Sequence, residues 1–134
     1  MNSAESARQH LRAALTTYCP VLVVEDDEDL RDMMAQMLTL EGFDAAAVAN
    51  GREALDYLHS AGKPHLILLD LMMPVMDGWE FRRLQKADPE LAPVPVIVLS
   101  ALDQTRAAPV DADAFLKKPL DFDRLLELVR DHCR

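Results

Sequence analysis

A chain of 134 residues fits one domain of ordinary size, long enough to bury a core without staples. Half of its residues are apolar and 28% are charged, which excludes a disordered chain. Lys plus Arg number 14 against 23 Asp plus Glu, and the net charge of −9 argues against direct binding to nucleic acid or an anionic membrane. No apolar run approaches the ~20 residues of a membrane helix. The N-terminus also lacks a basic-then-apolar export signal. Cys19 and Cys133 are too few for a disulfide framework and read as free thiols in a reducing compartment. A soluble, cytoplasmic protein is expected.

Residues 1–19 form a polar, Ala-rich N-terminal extension whose Ala4, Ala7, Leu11, Ala14 and Leu15 fall near helical spacing. Its bland reading is a helical or frayed appendage. Residues 20–134 read as one domain. Val21–Val24 is a continuous apolar run, as suits a strand buried on both faces, and it ends in five successive acids. Leu30, Met33, Met34, Met37 and Leu38 then follow helical spacing, and Gly42 stops that helix. Phe43 to Val48 reads as a strand. Asn50 and Glu53 form a capping box for a helix that Gly62 stops. Leu66–Leu69 is a second buried strand ending at Asp70. Met73-Pro74 and Asp77-Gly78 mark a loop, and Trp79 to about Lys86 a helix. Val96–Leu99 is a third buried strand, ending at Ser100. Ala114–Leu116 is a brief last strand running into Lys118-Pro119. Asp121 caps a helix carrying Phe122, Leu125, Leu126 and Val129. Alternation of this kind implies an α/β fold, a doubly wound five-stranded parallel sheet, compatible with the flavodoxin-like order 2-1-3-4-5.

The carboxyl ends of such strands share one edge. Glu25 and Asp26, Asp70, Ser100 and Lys118 therefore converge on one crevice. Three clustered carboxylates repel, at about 4 kcal/mol per pair ~4 Å apart in an effective dielectric near 20. An all-oxygen donor set without His or Cys points to Mg²⁺ as the counter-cation. Together with Lys118 and Ser100 it suits phosphoryl transfer, and an Asp can be the nucleophile. Taken singly, each residue is more often a cap, a turn or a surface charge; the functional reading rests on their joint placement.

Val21-Leu22-Val23-Val24-Glu25-Asp26-Asp27, the stretch from Leu68 through Asp70-Leu71-Met72-Met73-Pro74-Val75-Met76-Asp77-Gly78, the Leu99-Ser100-Ala101 step and Phe115-Leu116-Lys117-Lys118-Pro119 together resemble the receiver domain of two-component response regulators, single-domain and chemotaxis-regulator-like. The resemblance covers about residues 20 to 133. It implies that Asp70 is the phosphoacceptor. Mg²⁺ would be held by Asp26, Asp70, the backbone carbonyl of Met72 and, through water, Glu25. Lys118 would pair with the phosphoryl group, Ser100 would hydrogen-bond it, and Phe115 would be the aromatic switch. The Lys118–Pro119 bond is similar to one that is cis in the family. The implied partners are a sensor histidine kinase or histidine phosphotransfer protein and a downstream protein target. Nucleic acid and membrane are not among them, and oligomeric state is left open. The chain would be no enzyme beyond catalysing its own phosphorylation and dephosphorylation.

Two departures carry expectations. Ser100 and Lys118 stand closer than is usual in the family, so the fourth helix is expected to be short or irregular. With nothing after residue 134, a single-domain regulator or a receiver removed from a longer chain is expected. A haloacid-dehalogenase-like phosphatase would need a second Asp two residues after Asp70, where Met72 stands. A phosphorylation-independent binding module is the other alternative, against which every motif residue is present.

Overall fold

Strands without a polar face must be covered on both sides, and this requirement sets the architecture. The structure, a computed structural model, describes residues 19–102 and 110–133. Five strands run parallel: β1 (Pro20–Val24), β2 (Asp44–Val48), β3 (Leu66–Asp70), β4 (Val96–Ser100) and β5 (Ala114–Lys117). Their order is β2-β1-β3-β4-β5, the flavodoxin-like order with which the alternation of elements is compatible. Central β3 and β4 are buried at every position, whereas β2 lies at an edge and stays partly exposed.

Among the described residues four helices cover the faces: α1 (Glu28–Leu40), α2 (Gly51–Ala61), α3 (Gly78–Ala87) and α4 (Phe122–His132). One core joins Leu22, Val24, Ile67, Leu69, Val96 and Val98 to Ala54 and Leu58 of α2 and Phe81 of α3. The other joins Val21, Val23, Leu66, Leu68, Ile97 and Leu99 to Met34 and Leu38 of α1 and to Leu125, Leu126 and Val129 of α4. The period-2 alternation of each strand thus divides its side chains between two helical layers.

Asn50 and Asp121 cap their helices as the sequence implies, and Asp27 and Asp77 cap two more. Asp27, Asn50, Asp77 and Asp121 each accept a backbone N–H from the first turn of their helix. Asp77-Gly78, expected as a loop, is instead the cap and first residue of α3. The α1 cap is Glu41, with Gly42 just beyond it at φ 92°. The expected fourth helix, between β4 and β5, falls largely on residues 103–109, and the N-terminal extension on 1–18; both lie outside the described residues.

The return into β5 is anchored by a network that the periodicity does not announce. Buried Arg82 donates from Nε to the Asp111 carbonyl (2.7 Å) and from Nη1 to Gln85 Oε1 (2.8 Å). Gln85 in turn donates to the carbonyls of Leu91 and Val94, both at 3.0 Å. Asp113 accepts the Val96 N–H (2.8 Å), and its own N–H donates to the Val96 carbonyl (2.9 Å). A buried guanidinium is tolerable here because carbonyl and amide oxygens receive its protons.

The two cysteines are not free thiols. Cys19, just before β1, and Cys133, the C-cap of α4, form a disulfide with Cα atoms 5.7 Å apart. The sequence conceals this because the partners are 114 residues apart; the winding of α4 back along the sheet brings them together. The bond links nearly the two ends of the domain, so it constrains a long loop of the unfolded chain. We expect reduction to lower the unfolding free energy by about 4–5 kcal/mol. Thermal melts with and without dithiothreitol check this, and a Cys133→Ser variant should be insensitive to the reductant.

Candidate functional site

Strand register builds the site. Val24 pairs with Leu69, Asp70 with Leu99 and Ser100 with Lys117. The residues at or just past these positions, Glu25, Asp70, Ser100 and Lys118, therefore share one edge of the sheet. Glu25, Asp26 and Asp70 each offer an oxygen, all within 4.8 Å of one another. Glu25 and Asp70 are buried, at 0% and 3% exposure, while Asp26 faces solvent.

Lys118 is the cation of this cluster. Its Nζ lies 2.5 Å from Glu25 Oε1 and 3.5 Å from Asp70 Oδ1. Burial works against its charge, but the hydrogen bond to Glu25 and the charge of Asp70 prevail, and its pKa rises. One ammonium does not offset three carboxylates. Burial, reinforced by the charge of Glu25 and only partly opposed by Lys118, pushes the Asp70 pKa from 3.8 up to about 8. An all-oxygen cluster with residual negative charge and one ligand open to solvent fits a hard divalent cation.

The surrounding groups hold the edge in place. Glu25 Oε2 accepts the Asp27 N–H (3.2 Å), and Arg31 Nη1 donates to the Glu25 carbonyl (3.0 Å). Asp70 Oδ1 accepts the Met72 N–H at 3.4 Å. Ser100 is buried, and its Oγ accepts the Leu102 N–H at 3.1 Å. The Lys118 N–H donates to the Ser100 carbonyl (2.8 Å), and the Lys118–Pro119 peptide is cis. Phe115 pairs with Val98 and lies half-buried against the core that contains Val96, Val98 and Val110. All the residues singled out in the sequence thus lie at or beside one edge, with Phe115 set back along β5.

The loop after Asp70 is constrained at both ends. The Gly78 N–H donates to the Leu71 carbonyl, and a Cβ on Gly78 would stand 2.5 Å from the Asp70 carbonyl oxygen. Only glycine admits this approach of α3 to the strand end. Val75 has φ 68°, an unfavourable conformation for a β-branched residue, and is 84% exposed. Exposed Met72 and half-buried Met76 flank it. Trp79 packs half-buried beside the loop.

Sequence reasoning missed the direct Lys118–Glu25 pair. Its signal was a strand-end acid and a strand-end Lys on strands that do not adjoin, which topology alone brings together. It also missed the role of Arg31, one turn into α1, as a clasp on the acidic strand end.

Comparison with known proteins agrees with this geometry. The family model described as the response regulator receiver domain matches residues 21–130. The alkaline phosphatase synthesis transcriptional regulatory protein SphR of Synechococcus elongatus is 38% identical over 122 residues, covering 82% of this chain and 47% of that protein. The signal receiver domain of a signal transduction histidine kinase from Syntrophus aciditrophicus superposes with a TM-score of 0.80 at 33% identity, covering 86% of this chain and 89% of that one. TrrA from Thermotoga maritima, solved in complex with Mg²⁺ and BeF, gives a TM-score of 0.75 at 28% identity, covering 85% and 98%. The chain spans about half the length of the curated relatives it matches. It belongs to the response regulator receiver domain family, the phosphorylatable switches of two-component signalling. No helix among the described residues is long and apolar enough to cross a membrane.

The raised pKa of Asp70 has a definite sign in stability. A carboxyl that titrates higher in the folded state binds its proton more tightly there, so its contribution is full below 3.8 and is lost as pH rises toward about 8. Metal-free protein should therefore lose stability across that window. We expect Asp70→Asn to flatten the profile and to stabilise the metal-free protein at pH 8 by about 2 kcal/mol, half of one like-charge contact because the contact with Lys118 is lost too. Chelator-treated samples melted from pH 4 to 9 check both statements.

Proposed function

We propose that Asp70 accepts a phosphoryl group from the phosphohistidine of a sensor kinase or histidine phosphotransfer protein. The observation that carries this reading is the joining of three carboxylates and Lys118 at one sheet edge, with Asp70 at the end of the central strand β3. Asp26, Asp70 and the backbone carbonyl of Met72 would hold Mg²⁺, with Glu25 acting through water. When bound, Mg²⁺ supplies positive charge that offsets the carboxylates and the oxygens of the transferred group.

The chain's own residues do the rest. An oxygen of ionised Asp70 attacks phosphorus in line; the P–O bond forms as the P–N bond to the partner's imidazole breaks. Lys118, kept protonated by its carboxylate neighbours, turns its ammonium toward the phosphoryl oxygens. The Ser100 hydroxyl, already accepting the Leu102 N–H, retains its own proton to donate to a phosphoryl oxygen. The acyl phosphate carries about −1.5 to −2 charges where the ionised carboxylate carried one, and it spreads them over three oxygens. Ser100 is drawn toward the new oxygens and Phe115 turns inward, changing the surface beside β4 and β5. The domain is then a two-state element that the phosphoryl group biases.

On this reading the chain catalyses only its own phosphorylation and dephosphorylation, works in the cytoplasm and signals through a downstream protein. Its −9 net charge favours protein contact over nucleic acid for this segment. Incubation with acetyl phosphate and Mg²⁺ should add one phosphoryl mass to the protein, lost with chelator and absent in Asp70→Asn. Beryllofluoride should bind the wild type under the same conditions. A wild type that neither takes the adduct nor binds beryllofluoride would sustain the phosphorylation-independent module instead.

A further inference from the structure

The Cys19–Cys133 disulfide lies at the edge of the sheet opposite the carboxylate cluster. Its two sulfurs differ in access: Cys19 is buried at 2% exposure, whereas Cys133 is partly open and lines a cavity of about 610 Å³. Lys63, His65, His132 and Glu90 line the same cavity. The cavity is large enough for a tripeptide-sized molecule. Its lining offers an ammonium and two imidazoles to carboxylates, and one carboxylate to an ammonium.

We propose that Cys133 is a thiol-exchange site, and that the cavity beside it admits a low-molecular-weight thiol bearing carboxylates. The thiolate of that molecule attacks Cys133 Sγ. A mixed disulfide forms there, and the Cys19 Sγ–Cys133 Sγ bond breaks with its electron pair passing to Cys19. A second thiolate attacks the small-molecule sulfur of the mixed disulfide. It frees Cys133 as a thiolate and leaves the small molecule as its own disulfide, so two thiols are oxidised as one protein disulfide is reduced. The reverse sequence closes the bond again.

The site joins elements that matter elsewhere. Cys19 precedes β1, whose far end leads to Glu25. Cys133 caps α4, whose near end follows Lys118. β1 and α4 are thus held at one end by sulfur and at the other by the 2.5 Å ion pair.

The test uses the oxidised full chain without phosphodonor, so it is independent of the role proposed for Asp70. Opening is followed by alkylation and intact mass with reduced glutathione and with cationic cysteamine, each rate expressed per thiolate. Glutathione should open the bond faster by on the order of threefold, as expected for one or two partly screened charges, and the advantage should shrink in high salt. The trapped mixed disulfide should map to Cys133. Lys63→Glu, an exposed substitution, should remove the preference for glutathione. Equal rates for the two thiols, an adduct on Cys19, a preference untouched by Lys63→Glu, or an opening rate independent of thiol concentration would each overturn the proposal.

Discussion

Glu25 and Asp70 are carboxylates taken almost wholly out of water and set beside a third, and Lys118 is the cation that makes their burial tolerable. Breaking a buried pair by removing one partner costs about 3–5 kcal/mol, because the charge left behind is uncompensated. The cluster nonetheless keeps residual negative charge, which appears as the raised pKa of Asp70. Such a site is poised for any species that brings positive charge to those oxygens. It can also be reset by one that adds negative charge and draws Lys118 to itself.

The rest of the fold serves to place that one lysine. Lys118 lies on no strand adjoining β1 or β3; β4 separates β5 from β3. Its position depends on the register of β4 with β5 and on the hydrogen bond from its own N–H to the Ser100 carbonyl. The entry into β5 depends in turn on Arg82 and on the reciprocal bonds between Asp113 and Val96. α3 bears Arg82 and also begins at Gly78, pressed against the Asp70 carbonyl. One helix thus sets the loop after Asp70 and anchors the crossover that returns to Lys118.

Much of this was legible in the sequence because the signals are local. Runs such as Leu66–Leu69 and Val96–Leu99 have no polar face and demand a two-sided sheet. Asn50 and Asp121 stand where caps must stand, and strand-end acids converge once the strands are parallel. The strand order was compatible with those signals, and the gathering of Glu25, Asp70, Ser100 and Lys118 followed from them. What stayed hidden is long-range. The Cys19–Cys133 bond and the Lys118–Glu25 pair join residues 114 and 93 apart, and no periodicity encodes such contacts. The burial of Arg82 carries no local signal, because it depends on the Asp111 carbonyl, supplied by a distant segment. Asp77-Gly78 looked like a turn because the dipeptide has the same composition as a helix cap followed by a residue in close contact.

The central claim is that Lys118 and a divalent cation compete for the same over-supplied carboxylates. A calorimetric Mg²⁺ titration of the wild type, Asp26→Asn, Asp70→Asn and Lys118→Met tests it most directly. The account predicts one Mg²⁺ per chain, affinity reduced about tenfold or more in the two Asn variants, and tighter binding in Lys118→Met, where the competing ammonium is gone. Loss of Mg²⁺ affinity in Lys118→Met, or affinity unchanged by Asp26→Asn and Asp70→Asn, would contradict it.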